Sequence, residues 1–132
     1  MLIVRGDAQT LPSELNKAAT GEVWFDPIFP KTDGVDVGTV VFSPNGRTVW
    51  HQHERGQLLQ ITSGYGFVCK EGEAPLRVRA GDTVWIAPNE RHWHGATSRT
   101  LMTHTTTTIG TTEFDDAVTE AEYAAANATP RA

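Results

Sequence analysis

Short runs rich in Val, Ile, Thr, Phe and Trp recur along the chain, each closed by a turn-forming cluster. This punctuation constrains the fold more than any other feature. β-Branched and aromatic side chains suit a pleated surface, while Gly, Pro, Asn and Asp suit the reversals between strands. It predicts strands over residues 22–26, 36–43, 48–53, 57–63, 65–70, 76–79, 83–87, 91–96 and 101–109. The intervening turns carry Pro44-Asn45-Gly46, Arg55-Gly56, Ser63-Gly64, Glu71-Gly72-Glu73, Ala80-Gly81-Asp82 and Pro88-Asn89-Glu90. Helix is sparse. Residues 13–19 are expected to form one or two turns, and Thr119 with Glu122 makes a capping-box pattern opening a short helix through residue 126. Residues 127–132 are expected to fray. A chain of 132 residues is long enough for one domain with one core, so the reading is all-β, with short terminal helices.

Composition narrows the partners. Lys plus Arg is 11 against 16 for Asp plus Glu, a formal net charge of −5 that repels phosphate backbones. No nucleic-acid partner is expected. No apolar run is long enough to span a bilayer, and Arg5-Gly6-Asp7 interrupts the N-terminal apolar stretch before it becomes a signal-peptide core. Cys69 is the only cysteine, so no internal disulfide forms, and a cytoplasmic location with no membrane partner is expected. Cys69 itself reads as an inert, small apolar residue.

The chemistry concentrates in histidine. Four of the five histidines form two pairs, His51-Gln52-His53 and His92-Trp93-His94, and the fifth is His104. Side chains alternate faces along a strand, so each His-x-His pair points both imidazoles the same way. One such pair is commonplace, and a lone buried histidine is usually a hydrogen-bonded core residue. Two pairs facing one interior are a different matter. Neutral imidazoles crowded into a small volume each need a partner, and a shared metal ion satisfies them together. The same alternation puts Met102, His104, Thr106 and Thr108 on one face, with Gly38, Val40 and Phe42 forming an opposing wall with Leu59. Val40, Phe42, Leu59 and Met102 also read simply as core. Trp50, Trp85 and Trp93 alternate against the histidines and are expected outside the barrel, where they would serve a homo-oligomer, dimer or tetramer.

The stretch Gly46-x4-His51-x-His53-x3-Gln57-x6-Gly64 resembles the first motif of the cupins, and Gly81-Asp82-x5-Pro88-x3-His92 resembles the second. The resemblance runs from about residue 36 to residue 109 and implies a single-domain cupin jelly-roll β-barrel over residues 1–132. Carried over position by position, it implies metal ligands at His51, His53, Gln57 and His92. Two departures stand out: Gln57 replaces the usual glutamate, and Glu90 and Ala96 replace the Gly and Asn of the second motif. An amide leaves more positive charge on the ion than a carboxylate does, making it a stronger Lewis acid. Three nitrogens and one oxygen suit Mn²⁺ or Fe²⁺, while affinity alone favours Zn²⁺ or Ni²⁺.

Residues 47–57, then Gly81-Asp82-Thr83-Val84-Trp85, His92-Trp93-His94-Gly95-Ala96 and Met102-Thr103-His104, look like the small bacterial manganese cupins with hydroxynitrile lyase activity. That likeness implies Mn²⁺ as cofactor, a small-molecule cyanohydrin substrate, and His104 near it as the proton-transfer group. His94 would orient His104 or share the task. The likeness also places the Thr48 hydroxyl near the substrate, whereas strict alternation puts Val49 on the histidine face. An oxygen-using cupin and a non-catalytic metabolite binder are the alternatives, because fold and ligands are shared across many chemistries.

Overall fold

The computed structural model describes residues 1–6 and 14–131. Its twelve strands are β1 (Glu14–Leu15), β2 (Ala19–Thr20), β3 (Val23–Thr32), β4 (Val35–Phe42), β5 (Arg47–Thr48), β6 (His51–His53), β7 (Gln57–Lys70), β8 (Leu76–Arg79), β9 (Thr83–Ile86), β10 (His92–Ala96), β11 (Met102–Ile109) and β12 (Thr112–Phe114), followed by one helix, α1 (Glu120–Asn127). Every pairing is antiparallel. The hydrogen-bonded path runs β1-β3-β4-β11-β7-β10-β5-β2, with β6 beside β10, β12 beside β6, and β8 and β9 each pairing with β7.

Strand β7 makes the barrel. Its first half pairs with β11 and β9, its second half with β10 and β8, so one strand passes from one sheet to the other. The expected turn at Ser63-Gly64 is instead the bend within this strand. Gly64 has φ 76°, and a Cβ there would run into the Leu101 carbonyl oxygen, so only glycine fits the corner. The two sheets thereby face each other around one interior, an all-β jelly-roll arrangement. Strand β3 also outruns its expected end. It continues to Thr32 and returns through Asp33-Gly34, both at positive φ, a tight hairpin that the Asp-Gly dipeptide marks.

Two apolar cores result. Val40, Phe42, Leu59, Ile61, Met102 and their neighbours fill the barrel. Trp50, Phe67, Cys69, Trp93, Val118, Tyr123 and Ala126 pack between the outer face of one sheet and the C-terminal segment. Trp50 and Trp93 are therefore covered by the chain's own helix and are not an outer surface; only Trp85 of the three is exposed. Helix α1 starts as its sequence indicates, with Thr119 and Glu122 capping each other's backbone N–H groups. The Tyr123 hydroxyl donates to the Ala96 carbonyl at 2.6 Å and fixes the helix to β10. Burial pushes the Cys69 thiol up to about 12, which keeps it protonated.

Two expectations at the termini are corrected. Ser13 lies outside the described residues, and in place of the expected N-terminal helix stand β1 and the start of β2, with residues 16–18 bending between them. Pairing with β3 and β5 outweighs local propensity there, and Asn16 N–H donates to the Val23 carbonyl at 2.6 Å. At the other end, Arg77 donates to the carbonyls of Asn127 and Thr129, and the Asn127 side chain accepts from Ser98 N–H. These bonds hold residues 127–129 against β8. No helix of the described residues is long and apolar enough to cross a membrane.

Candidate metal centre

Antiparallel pairing of β6 and β10 sets His51 directly opposite His92. Alternation along β6 puts His53 on the same face as His51, with Gln52 turned the other way. The ring centroids of His51 and His92 lie 4.2 Å apart, those of His51 and His53 5.0 Å, and those of His53 and His92 5.2 Å. One ring nitrogen from each of the three falls within 4.8 Å of the others. Gln57 opens β7 alongside, and all four side chains are buried.

Each of these histidines is oriented through Nδ1. His51 Nδ1 donates to the Val49 carbonyl at 2.8 Å, and His92 Nδ1 to the Glu90 carbonyl at 2.8 Å. A carbonyl only accepts, so the proton sits on Nδ1 and the lone pair on Nε2. His53 Nδ1 meets the Thr112 hydroxyl at 2.9 Å. Gln57 is held likewise: its Nε2 donates to Thr108 Oγ1 at 2.9 Å. The atoms left over are informative. His53 Nε2, His92 Nε2 and Gln57 Oε1 are buried with no hydrogen-bond partner among the described residues. Orphaned buried acceptors are costly, and here they converge.

Charge points the same way. Burial first, then the neighbouring His92, holds His51 well below its ordinary value and lowers His53 to about 4; burial also lowers His92. All three rings are neutral at pH 7, the form in which imidazole ligates a metal. The donor set therefore fits a divalent cation, with His51, His53, His92 and Gln57 as the residues placed to hold it and Val49, Glu90, Thr112 and Thr108 anchoring them.

His94 and His104 make a second, separate pair. His94 Nδ1 and His104 Nε2 are 3.1 Å apart, and the edge of Phe42 packs against both rings. Burial holds His94 well below its ordinary value and lowers His104 to about 4, so the neutral pair shares one proton between these nitrogens. His94 Nε2 and His104 Nδ1 have no partner among the described residues. Thr48 is drawn inward as well: its hydroxyl accepts the His94 backbone N–H at 3.2 Å.

A cavity of about 540 Å³ opens over this cluster. Of the expected substrate-side residues, Val40, Thr48, His94, Thr106 and Thr108 line it, together with His51, His53 and Gln57. Phe42, Leu59 and Met102 do not; they are fully buried in the barrel core beneath. His104 also lies behind the wall, and His94 is the member of the pair that reaches the cavity. Asn16, Lys17, Ala18, Phe25, Asp36, Thr112 and Phe114 complete the lining and were not anticipated. Exposed Phe114 stacks over His51 at 6.1 Å, a contact set by the β12–β6 pairing that sequence periodicity did not suggest.

A double-sheet β-barrel carrying an inward three-histidine cluster that could hold a metal ion defines a small barrel protein with a candidate metal site. Residues 38–106 match the Cupin domain family, and the chain belongs to it. Over 87 residues it is 46% identical to a protein named (R)-mandelonitrile lyase from Granulicella tundricola, a match covering 64% of this chain and 66% of that protein, just under two thirds of each. The fold superposes on a cupin-like protein from Thermotoga maritima with a TM-score of 0.86 and 32% identity, covering 94% of this chain and 100% of that one. It also resembles the polyketide cyclase RemF from Streptomyces resistomycificus in fold, at a TM-score of 0.74 and 16% identity over 92% of this chain and 91% of that one.

Proposed function

We propose that this cupin is a metal-dependent lyase that reversibly cleaves aromatic cyanohydrins to an aldehyde and hydrogen cyanide. The observation that carries the reading is the set of unpartnered ligand atoms at His53, His92 and Gln57, adjoining a cavity that His94 of the neutral histidine pair also reaches. The mandelonitrile lyase named above supports the choice of reaction. A divalent cation in this shell, Mn²⁺ by our assignment, would supply Lewis acidity toward a substrate oxygen.

The chain's own residues account for the proton. With the shared proton on His94 Nδ1, held toward His104 Nε2, the lone pair of His94 Nε2 is free to accept the cyanohydrin hydroxyl proton. The carbon–carbon bond to the nitrile then breaks, its electron pair leaves with cyanide, and the same proton returns to give HCN. His104 keeps His94 in the accepting tautomer and stabilises its transient charge. Thr48, pinned by the His94 backbone, holds a hydroxyl beside the reacting end. Val40 and Phe25 offer the apolar wall that an aromatic ring requires.

The test is to incubate metal-loaded protein with mandelonitrile under argon and follow benzaldehyde. Release without oxygen is the expected result. Turnover of a substrate only in air would transfer the site to oxygen chemistry. No turnover of mandelonitrile under either gas would overturn the lyase reading in favour of ligand binding alone.

A further inference from the structure

The row nearest the metal-type cluster contains a group with no role so far. Gln57, Thr108 and Asp36 stand in register across β7, β11 and β4, and all three line the cavity. Gln57 Nε2 occupies the Thr108 hydroxyl. Asp36 Oδ1 is buried without a hydrogen-bond partner among the described residues. A carboxylate oxygen taken out of water and left unpaired is costly to keep, and because Asp36 itself lines the cavity, its carboxylate calls for a donor from outside the chain.

The wall beside it says what carries that donor. The next inward-facing position on β4 is Gly38, and a Cβ there would collide with the Phe25 ring. Phe25 thus occupies the space a side chain would take and presents an aromatic surface between Asp36 and Val40. Asp36 lies two strands from Gln57, about 10 Å between backbones, on the scale of one ring substituted at both ends.

We propose that Asp36 is a substrate-selecting residue: it accepts a hydrogen bond from a hydroxyl or amino group on the ring of an aromatic ligand whose other end reaches the histidine cluster. The choice of an aromatic ligand rests on the lyase reading; the need for a donor rests on the unpaired carboxylate. Substrates bearing such a donor are preferred over equally large ones without it.

Binding separates the two readings. Protein loaded with Zn²⁺ is titrated by NMR with 4-hydroxybenzyl alcohol and with 4-methoxybenzyl alcohol, which keeps the oxygen but cannot donate. The wild type is expected to favour the hydroxyl compound by about tenfold, the scale of a hydrogen bond to a charged acceptor. Asp36→Ala should abolish that preference. Asp36→Asn, which keeps shape and a neutral acceptor, should reduce it and covers the case in which the alanine variant does not fold. Equal binding in the wild type, or an unchanged preference in whichever variant folds, overturns the proposal. Lyase turnover with no preference removes Asp36 and leaves the lyase; the preference without turnover does the reverse.

Discussion

The barrel holds two groups of buried histidines that differ in one respect, the partner that each ring's hydrogen-bonded nitrogen meets. His51 and His92 spend Nδ1 on main-chain carbonyls, and His53 spends it on Thr112. Their remaining nitrogens point at common space. His94 instead meets His104 through Nδ1, so a single proton lies between those two nitrogens of the pair. Burial lowers the proton affinity of both groups alike. What would separate a ligand from a proton carrier in the proposed mechanism is therefore not depth or charge but the hydrogen bond that sets the tautomer.

The hardest way to break this division is to remove a ligand. His92→Ala should lose nearly all bound metal and all lyase turnover, measured by elemental analysis beside the argon assay. A variant that keeps a full metal complement would end the distinction between the groups. On the other side, His94→Ala should keep its metal and lose turnover by about 10²- to 10⁴-fold, the range for a general acid–base group. His104→Ala should also keep metal, with a loss no larger than that of His94→Ala, since His104 acts through its neighbour. A greater loss at His104 would reverse the assigned order.

Acid sharpens the comparison further. His53 and His104 fall to about 4 in the folded chain, against 6.5 for an exposed histidine. Between those values the unfolded chain binds protons that the folded chain refuses, so the share of stability set by these two groups falls as pH drops from 6.5 and levels off below 4. Each group contributes on the order of 3 kcal/mol to that fall in metal-free protein. Metal loading should restore the share of His53, a ligand, and leave the share of His104. Urea titrations at several pH values, with and without Mn²⁺, read both. Equal protection of both shares would count against the division.

Much of this was legible in the chain, for reasons that also mark where legibility stops. Period-two alternation correctly turned Phe42, Leu59 and Met102 inward, yet it carries no information on depth along the barrel, and these three lie below the cavity. Val40, Thr106 and Thr108 on the same strands do line it. Alternation failed at Thr48 because the expected strand breaks into β5 and β6, with Val49 and Trp50 between them. The tautomer-setting carbonyls of Val49 and Glu90 belong to the backbone and leave no trace in side-chain patterns. Trp50 and Trp93 did face outward from the barrel, but α1 folds over them, a contact between distant parts of the chain. The Asp33-Gly34 hairpin, by contrast, was marked by its dipeptide and overlooked.

The smallest effect concerns the one proposed ligand position that is not histidine. Gln57 is neutral and oriented by its own N–H bond to Thr108, so its oxygen faces the histidines without adding charge. Gln57→Glu replaces that donor with a second acceptor oxygen, to which the Thr108 hydroxyl can donate in turn, and introduces a negative charge among three neutral rings. A carboxylate compensates a bound cation better than an amide does, so metal should leave the variant more slowly when challenged with a chelator. The same compensation weakens Lewis acidity, and turnover should fall by about tenfold, or about 1.4 kcal/mol of barrier. Retention and rate then move in opposite directions, which loss of geometry alone does not produce. A variant that is faster, or slower only because it sheds its metal, would show that the neutral amide at this position is not what tunes the site.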